Sequence, residues 1–316
     1  VNPQQENPAR GYIVSANFQP LSPTGMAIPG YYNLADRGQQ LDRQLADDQV
    51  KWDLQNSQAL QLGTTTDYGP RTLGPLLPVL RQVVVDDQDR ELLEQLAAWR
   101  GDYPLDSVNA TLFNQFLYEL AFAAMHDELG DAWFQALLST RVIDAALPRL
   151  AADAASPWWD NHGSAEHGSR EATVKRAWDK TLAHLRDTLG KDPSGWQWGK
   201  AHTLTHGHPL GTQKPLDRLF NVGPFAAPGT HEVPNNLSAK IGPAPWPVTY
   251  GPSTRRLIDF ADAGTALTIN PVGQSGVLFD RHYADQAKPY VEGKYQRAWL
   301  GLAGETEGTL RLVPDK

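Results

Sequence analysis

Hydrophobic and polar positions alternate along this chain in three textures. Residues 10–17, Arg-Gly-Tyr-Ile-Val-Ser-Ala-Asn, hold a β-branched and aromatic run that reads as a short strand. A Pro- and Gly-rich loop follows over 18–31, and helical periodicity then dominates to about residue 150. The stretch 86–99 opens on acids suited to a helix N-terminus, and Leu92, Leu93, Leu96 and Trp99 make one apolar stripe. Residues 112–129 and 132–147 repeat that pattern. Ser156-Pro-Trp-Trp breaks it, and 171–189 reads as a further helix.

From Gly207 to Pro252 the texture changes again, with prolines at 209, 215, 224, 228, 234, 243, 245, 247 and 252. Such a stretch holds neither long helices nor central strands. A connection of that length is functional or wraps another surface. Residues 257–260 and 266–269 then predict two strands joined by a turn around Asp262-Ala-Gly264. There is no internal repeat and no low-complexity tract. The order is strand, helical middle, long loop, terminal strands. A lone opening strand and a few closing ones lack a sheet of their own, so partner strands are expected from sequence outside this segment.

Composition narrows the function classes. The 316 residues, 41% hydrophobic and 20% charged, belong to an ordinary globular chain. A net charge of −8 lacks the basic face of a nucleic-acid binder or a polybasic membrane-surface protein. No apolar run reaches the roughly 18 residues that span a bilayer. The first residues, Val-Asn-Pro-Gln-Gln-Glu, have neither a basic nor an apolar signal region. With no Cys, this segment holds no disulfide, zinc-thiolate or cysteine nucleophile. Ten Trp is a high count, and most are expected in packing.

Taken residue by residue, the candidate chemistry stays bland. His202, His206 and His208 lie close together, but Gly207 and Pro209 favour a loop and no carboxylate is near, which argues against a metal. His162-Gly-Ser-Ala-Glu-His167 is one residue too long for an inverted zinc-protease motif. Gly273-Gln-Ser-Gly276 has the wrong spacing for a nucleophile elbow, so Ser275 is expected in a glycine turn. The pairs Asp47-Asp48 and Asp86-Asp87 read as helix-start charges. On these residues alone the chain is a mixed α and β protein of open activity.

Six blocks, in order, resemble the penicillin acylase family, whose members are N-terminal nucleophile hydrolases. They are Gly11-Tyr-Ile-Val-Ser-Ala-Asn17, Tyr32-Asn-Leu-Ala-Asp-Arg37, Leu45-Ala-Asp-Asp-Gln49 at an expected helix start, and Trp196-Gln-Trp-Gly-Lys-Ala-His202 with His208-Pro-Leu210. The others are Gly251-Pro-Ser-Thr-Arg-Arg-Leu-Ile-Asp-Phe260 and the closing Gly273-Gln-Ser-Gly276 with His282-Tyr-Ala-Asp-Gln286. The resemblance covers nearly the whole chain and implies an α+β fold, part of a four-layer αββα sandwich. It makes the segment 1–316 the C-terminal portion of a β subunit: strand and active-site loop at 1–36, mainly helical at 37–195, long loop and sheet strands at 196–316.

The resemblance implies an amidohydrolase acting on N-acyl-homoserine lactones or β-lactams such as penicillin G or V. In that family a precursor cuts itself to expose a Ser whose own α-amine is the base. Such an amine has a pKa of about 7.7–8.0, so a useful fraction is neutral at physiological pH. Asn17 matches the family's oxyanion Asn, and Arg37 an Arg that orients it. Read alone, Asn17 would end a strand in a turn and Arg37 would pair with Asp36 or Asp42 at the surface. Val1 offers no hydroxyl or thiol, so the nucleophile is expected on another fragment of the same precursor. No cofactor is expected: the family's calcium site takes an Asp from the loop after the oxyanion Asn, and 18–35 contains no acid. Ser15 and Phe18 also depart from the family's usual residues. A periplasmic or secreted location is implied by family. The rival reading is a catalytically inactive binding or scaffold relative.

Overall fold

The computed structural model describes residues 3–160, 168–301 and 311–314. The stretch His162 to His167, rejected above as a zinc-protease motif, lies outside the described residues. Eleven α-helices are described: α1 Asp36–Leu45, α2 Leu54–Gln61, α3 Tyr68–Leu73, α4 Leu77–Val83, α5 Asp87–Ala97, α6 Val108–Leu138, α7 Val142–Ala152, α8 Arg170–Thr188, α9 Trp198–Ala201, α10 Asp217–Phe220 and α11 Ala287–Val291. Six strands form two three-stranded sheets. The first is ordered β2 (Val222–Ala226), β1 (His202–His206), β3 (Trp246–Pro247), and the second β4 (Arg255–Leu257), β5 (Thr265–Ile269), β6 (Gln296–Trp299).

The helical middle forms because its apolar positions recur at helical spacing and its starts are capped. The Asp86 side chain accepts from the N–H groups of Gln88 and Asp89, while Leu92, Leu93 and Leu96 of α5 are buried. Ser107 caps α6 and Ser169 caps α8 in the same way. Along α8, Thr173, Val174, Ala177, Trp178, Thr181, Leu182 and Leu185 make a continuous buried face. It packs on α6, where the Phe116 ring meets Trp178 edge-on at 6.1 Å between centroids. The expected break between 129 and 132 is present: Gly130, at φ 66° and ψ 172°, leaves the helical conformation, and two helical stretches meet there in a kink within α6. The helix runs on to Leu138, and α7 begins only at Val142.

Two other expectations need correction. Residues 10–17 make no strand; Phe18 forms a single parallel bridge with Asn33. A β-branched run becomes a strand only where a neighbour completes its ladder, and none does so among the described residues. Asp47 and Asp48 lie in the turn after α1, where the Asp47 carboxylate accepts from the Gln49 N–H. The next helix is capped by Asp53, whose side chain and that of Asn56 satisfy each other's backbone N–H groups.

The proline-rich segment is ordered and contributes edge strands. Pro224 sits in β2 and Pro247 in β3, both at the rim of the sheet, where a missing N–H breaks no ladder. The hairpin of β4 and β5 is antiparallel with Arg255 opposite Ile269. Its first strand lies at Arg255–Leu257 and not at the expected 257–260, because Phe260–Asp262 coils into a 3-10 turn capped by Asp259. β6 extends it, pairing Thr265 with Trp299.

His202 opens β1 fully buried, stacked on Trp198 at 4.5 Å, with its Nδ1–H donating to the Ala227 carbonyl at 2.7 Å. Burial depresses its pKa to about 4. The unfolded chain, with an ordinary His value of about 6.5, takes up the proton first as pH falls. The stability this neutral His contributes is therefore complete above about pH 6.5 and is lost as pH drops towards 4, a swing of roughly 3 kcal/mol. Denaturant unfolding of the protein containing this chain should show that slope. A His202→Gln variant, less stable at pH 7, should show a flatter one.

Candidate active site

Three segments meet around Arg37. The first is the turn at residues 16–18, where Asn17 takes φ 61°, a left-handed conformation that Asn tolerates better than most residues. The Asn17 carbonyl accepts from the Asn33 N–H at 2.9 Å, which closes the loop back on itself. The second segment is the first turn of α1. Its Arg37 guanidinium donates through Nη2 to the Ala16 carbonyl at 3.0 Å and to Asn17 Oδ1 at 2.5 Å. Gly38 lets the Phe18 ring lie against the helix, since a Cβ there would sit 2.5 Å from that ring. The third is the loop between β2 and β3, which brings Glu232 to the backbone N–H of Arg37, with 3.5 Å from nitrogen to Oε2.

These contacts orient Asn17. A guanidinium only donates, so the amide must present its oxygen to Arg37 and turn its two N–H donors away. Asn17 is exposed, so those donors are open to a bound molecule. The neighbouring residue Asp36 is buried, and Arg71 donates to both of its carboxylate oxygens at 2.8 Å. Arg37 therefore does not pair with Asp36 or Asp42; Asp42 pairs with Arg10 at 2.7 Å.

Sequence reasoning brought Asn17 and Arg37 forward and missed Glu232. It also missed His231 and Asp144, whose side chains approach to 3.4 Å. With Glu232, Asn33, Arg141 and Asn236 they line a cleft of about 270 Å³. Burial pushes the carboxyls of Asp144 and Glu232 upward, and the charge of His231 opposes the shift in both. The one signal in the sequence was an acid and an imidazole adjacent in Thr230-His-Glu-Val-Pro-Asn-Asn236, inside a segment otherwise poor in charge.

The other singled-out residues serve the scaffold. His206 closes β1 with its ring near Tyr290, whereas His208 caps the turn after it by accepting from Leu210 N–H. No group of three His, Asp or Glu side chains able to hold a metal occurs among the described residues. The loop 18–35, from which the resemblance would draw one calcium ligand, carries no acid. Gly273 is required by close approach, because a Cβ there would sit 1.9 Å from the His282 carbonyl. That carbonyl accepts from the Ser275 N–H at 3.0 Å, so Ser275 belongs to a turn.

Within His282-Tyr-Ala-Asp-Gln286, His282 bonds Asp285 at 2.7 Å, Tyr283 donates to the Phe220 carbonyl, and Gln286 accepts from Asn270 N–H. The Trp196 to His202 block is similarly occupied. Its indoles donate to the carbonyls of Gly190 and Gly229, the latter in the loop that carries Glu232.

The chain is similar to known proteins along nearly its whole length. The family model described as Penicillin amidase matches residues 1–303. The acyl-homoserine lactone acylase QuiP of Pseudomonas syringae pv. tomato is 27% identical over 100% of this chain and 41% of its own length. Its namesake from Pseudomonas aeruginosa is 26% identical over 93% of this chain and 38% of its own. The chain thus spans about two fifths of the curated relatives it matches. Among solved structures, a thermostable penicillin G acylase from Alcaligenes faecalis superposes with a TM-score of 0.55 at 18% identity, over 98% of this chain and 58% of that one. That likeness is one of fold, an α+β arrangement shared with the penicillin acylases. The blocks that build the scaffold and the segments that meet at Arg37 all fall inside the matched residues, and the chain belongs to the penicillin amidase family.

Proposed function

We propose that this chain supplies the charge-stabilising wall of an amide hydrolase whose nucleophile is an N-terminal Ser on a companion fragment of the same precursor. The observation that carries the reading is Asn17. Its oxygen is held by Arg37, so its N–H donors point outward from an exposed left-handed turn. In the proposed reaction the α-amine of the Ser takes the hydroxyl proton, and the oxygen attacks the amide carbonyl. Negative charge gathers on the carbonyl oxygen, where the Asn17 amide donates to it. Collapse, with that proton passed from the α-ammonium to the departing nitrogen, expels the amine and leaves an acyl-enzyme, which water hydrolyses. A preset donor of this kind is worth about 10²–10³ in kcat, because its dipole needs no reorganisation when charge develops.

The substrate class we propose is an N-acylated compact head group: an N-acyl-homoserine lactone, a β-lactam such as penicillin G or V, or both. Support comes from the names of the relatives, two of which are lactone acylases and one a penicillin G acylase. The chemistry is the same for either, and the acyl pocket makes the choice. Export to the periplasm or beyond belongs to the same proposal and rests on the family alone.

Intact mass under denaturing conditions should reveal a companion polypeptide whose first residue is Ser, Thr or Cys. Any other first residue would favour a binding or scaffold relative. In the processed enzyme, Asn17→Ala should lower kcat about a hundredfold with a modest change in KM. Unchanged turnover would remove Asn17 from the oxyanion role. Arg37→Ala should cost less, on the order of tenfold, because the amide survives but loses its anchor. Wild-type kinetics there would reduce Arg37 to a packing residue.

A further inference from the structure

Helix α1 begins without a cap of its own. The residue before it, Ala35, has no side-chain acceptor, so the first N–H groups of the helix need an oxygen from elsewhere. The carboxylate that reaches the Arg37 N–H comes from Glu232, 195 residues away in sequence. Glu232 is only 5% exposed and takes φ 61°, a conformation costly for a residue with a long side chain. A buried carboxylate on a strained backbone persists only where the surrounding structure enforces it.

The enforcement is visible along the whole loop. The Gly229 N–H donates to the Tyr103 carbonyl at 2.9 Å, and the Gly229 carbonyl accepts from Trp198 Nε1. The Asn235 N–H donates to the Gly63 carbonyl at 2.9 Å, while Asn235 Oδ1 accepts from the buried guanidinium of Arg255 at 2.7 Å. Gly229 has room for no side chain, since a Cβ would sit 2.2 Å from the Asn235 carbonyl oxygen. Glu232 is thus gripped on both sides and aimed at the one helix turn that carries Arg37.

We propose that Glu232 is a positioning residue for the oxyanion donor: its carboxylate fixes the first turn of α1, which holds the Arg37 guanidinium where it anchors Asn17. The inference rests on the reading of Asn17 given under the proposed function. It assigns Glu232 no contact with substrate. The carboxylate acts on the backbone of Arg37, Arg37 acts on the Asn17 oxygen, and the Asn17 N–H groups face the reaction.

The test is steady-state kinetics of the processed enzyme. Glu232→Ala should lower kcat roughly fivefold with KM nearly unchanged. Glu232→Gln keeps an oxygen at the same reach and should retain most of kcat. Glu232→Asp, one methylene shorter, should fall with the Ala variant although it keeps the charge. In an Arg37→Ala background, Glu232→Ala should cause no further loss, since both changes break one chain of contacts.

Wild-type kcat in Glu232→Ala, or losses that multiply in the double variant, would overturn the proposal. If Glu232→Ala does not fold, Gln and Asp decide it: equal, wild-type kcat in both would overturn it equally. Should Asn17→Ala itself leave turnover unchanged, the reading of the site has failed, whatever the Glu232 variants do.

Discussion

A guanidinium can only donate hydrogen bonds, and in this chain that fact determines which end of the Asn17 side chain faces outward. Arg37 spends one nitrogen on the Ala16 carbonyl and on Asn17 Oδ1, so one contact both pins the left-handed turn and sorts the amide. Without that contact the amide could rotate and offer an oxygen to developing negative charge, which would repel where it should stabilise. The rest of the molecule is arranged to keep Arg37 still. Asp36 is locked by Arg71, Gly38 admits the Phe18 ring, and Glu232 closes the helix start.

The sequence blocks that mark the family have mostly structural work. The Trp198 indole and the ring of His202 hold the Gly229 and Ala227 carbonyls of the loop leading to Glu232. Arg255, in the Gly251 to Phe260 block, binds Asn235 in that loop and the Tyr290 carbonyl of α11. Gly251 lies close under Leu237, where a Cβ would meet the side chain at 2.8 Å. The closing motif latches the C-terminal turns through His282, Tyr283 and Gln286. The Trp196 and Gly251 blocks, far from Asn17 in sequence, thus converge on the loop that carries Glu232.

Local signals were legible where local physics decides. The caps and stripes of α5 and α8 and the β4–β5 hairpin follow from spacing and capping within one segment. Strand formation at 10–17 was misread because a strand is a property of two segments, and β-branched residues alone make no ladder. The break at 129–132 was legible too, but the single helix expected at 132–147 is interrupted between Leu138 and Val142, where the apolar spacing carries no signal. β1 was missed because its neighbours are proline-bearing edge strands 20 and 44 residues downstream, which carry no alternating pattern. At the site, Asn17 and Arg37 were found through the resemblance, not through their chemistry. Glu232 was not found at all, since its meaning depends on a contact spanning most of the chain.

The central claim is that the Asn17 donors are matched to charge that exists only at the top of the barrier. Its most direct test is inhibition of the processed enzyme by a phosphonate analogue of the tetrahedral intermediate, compared between wild type and Asn17→Ala. The account predicts that the variant binds the analogue about a hundredfold more weakly while KM for the parent amide moves by a small factor. Equal weakening of analogue and substrate would mean that Asn17 merely helps to hold the ground state, and would contradict it.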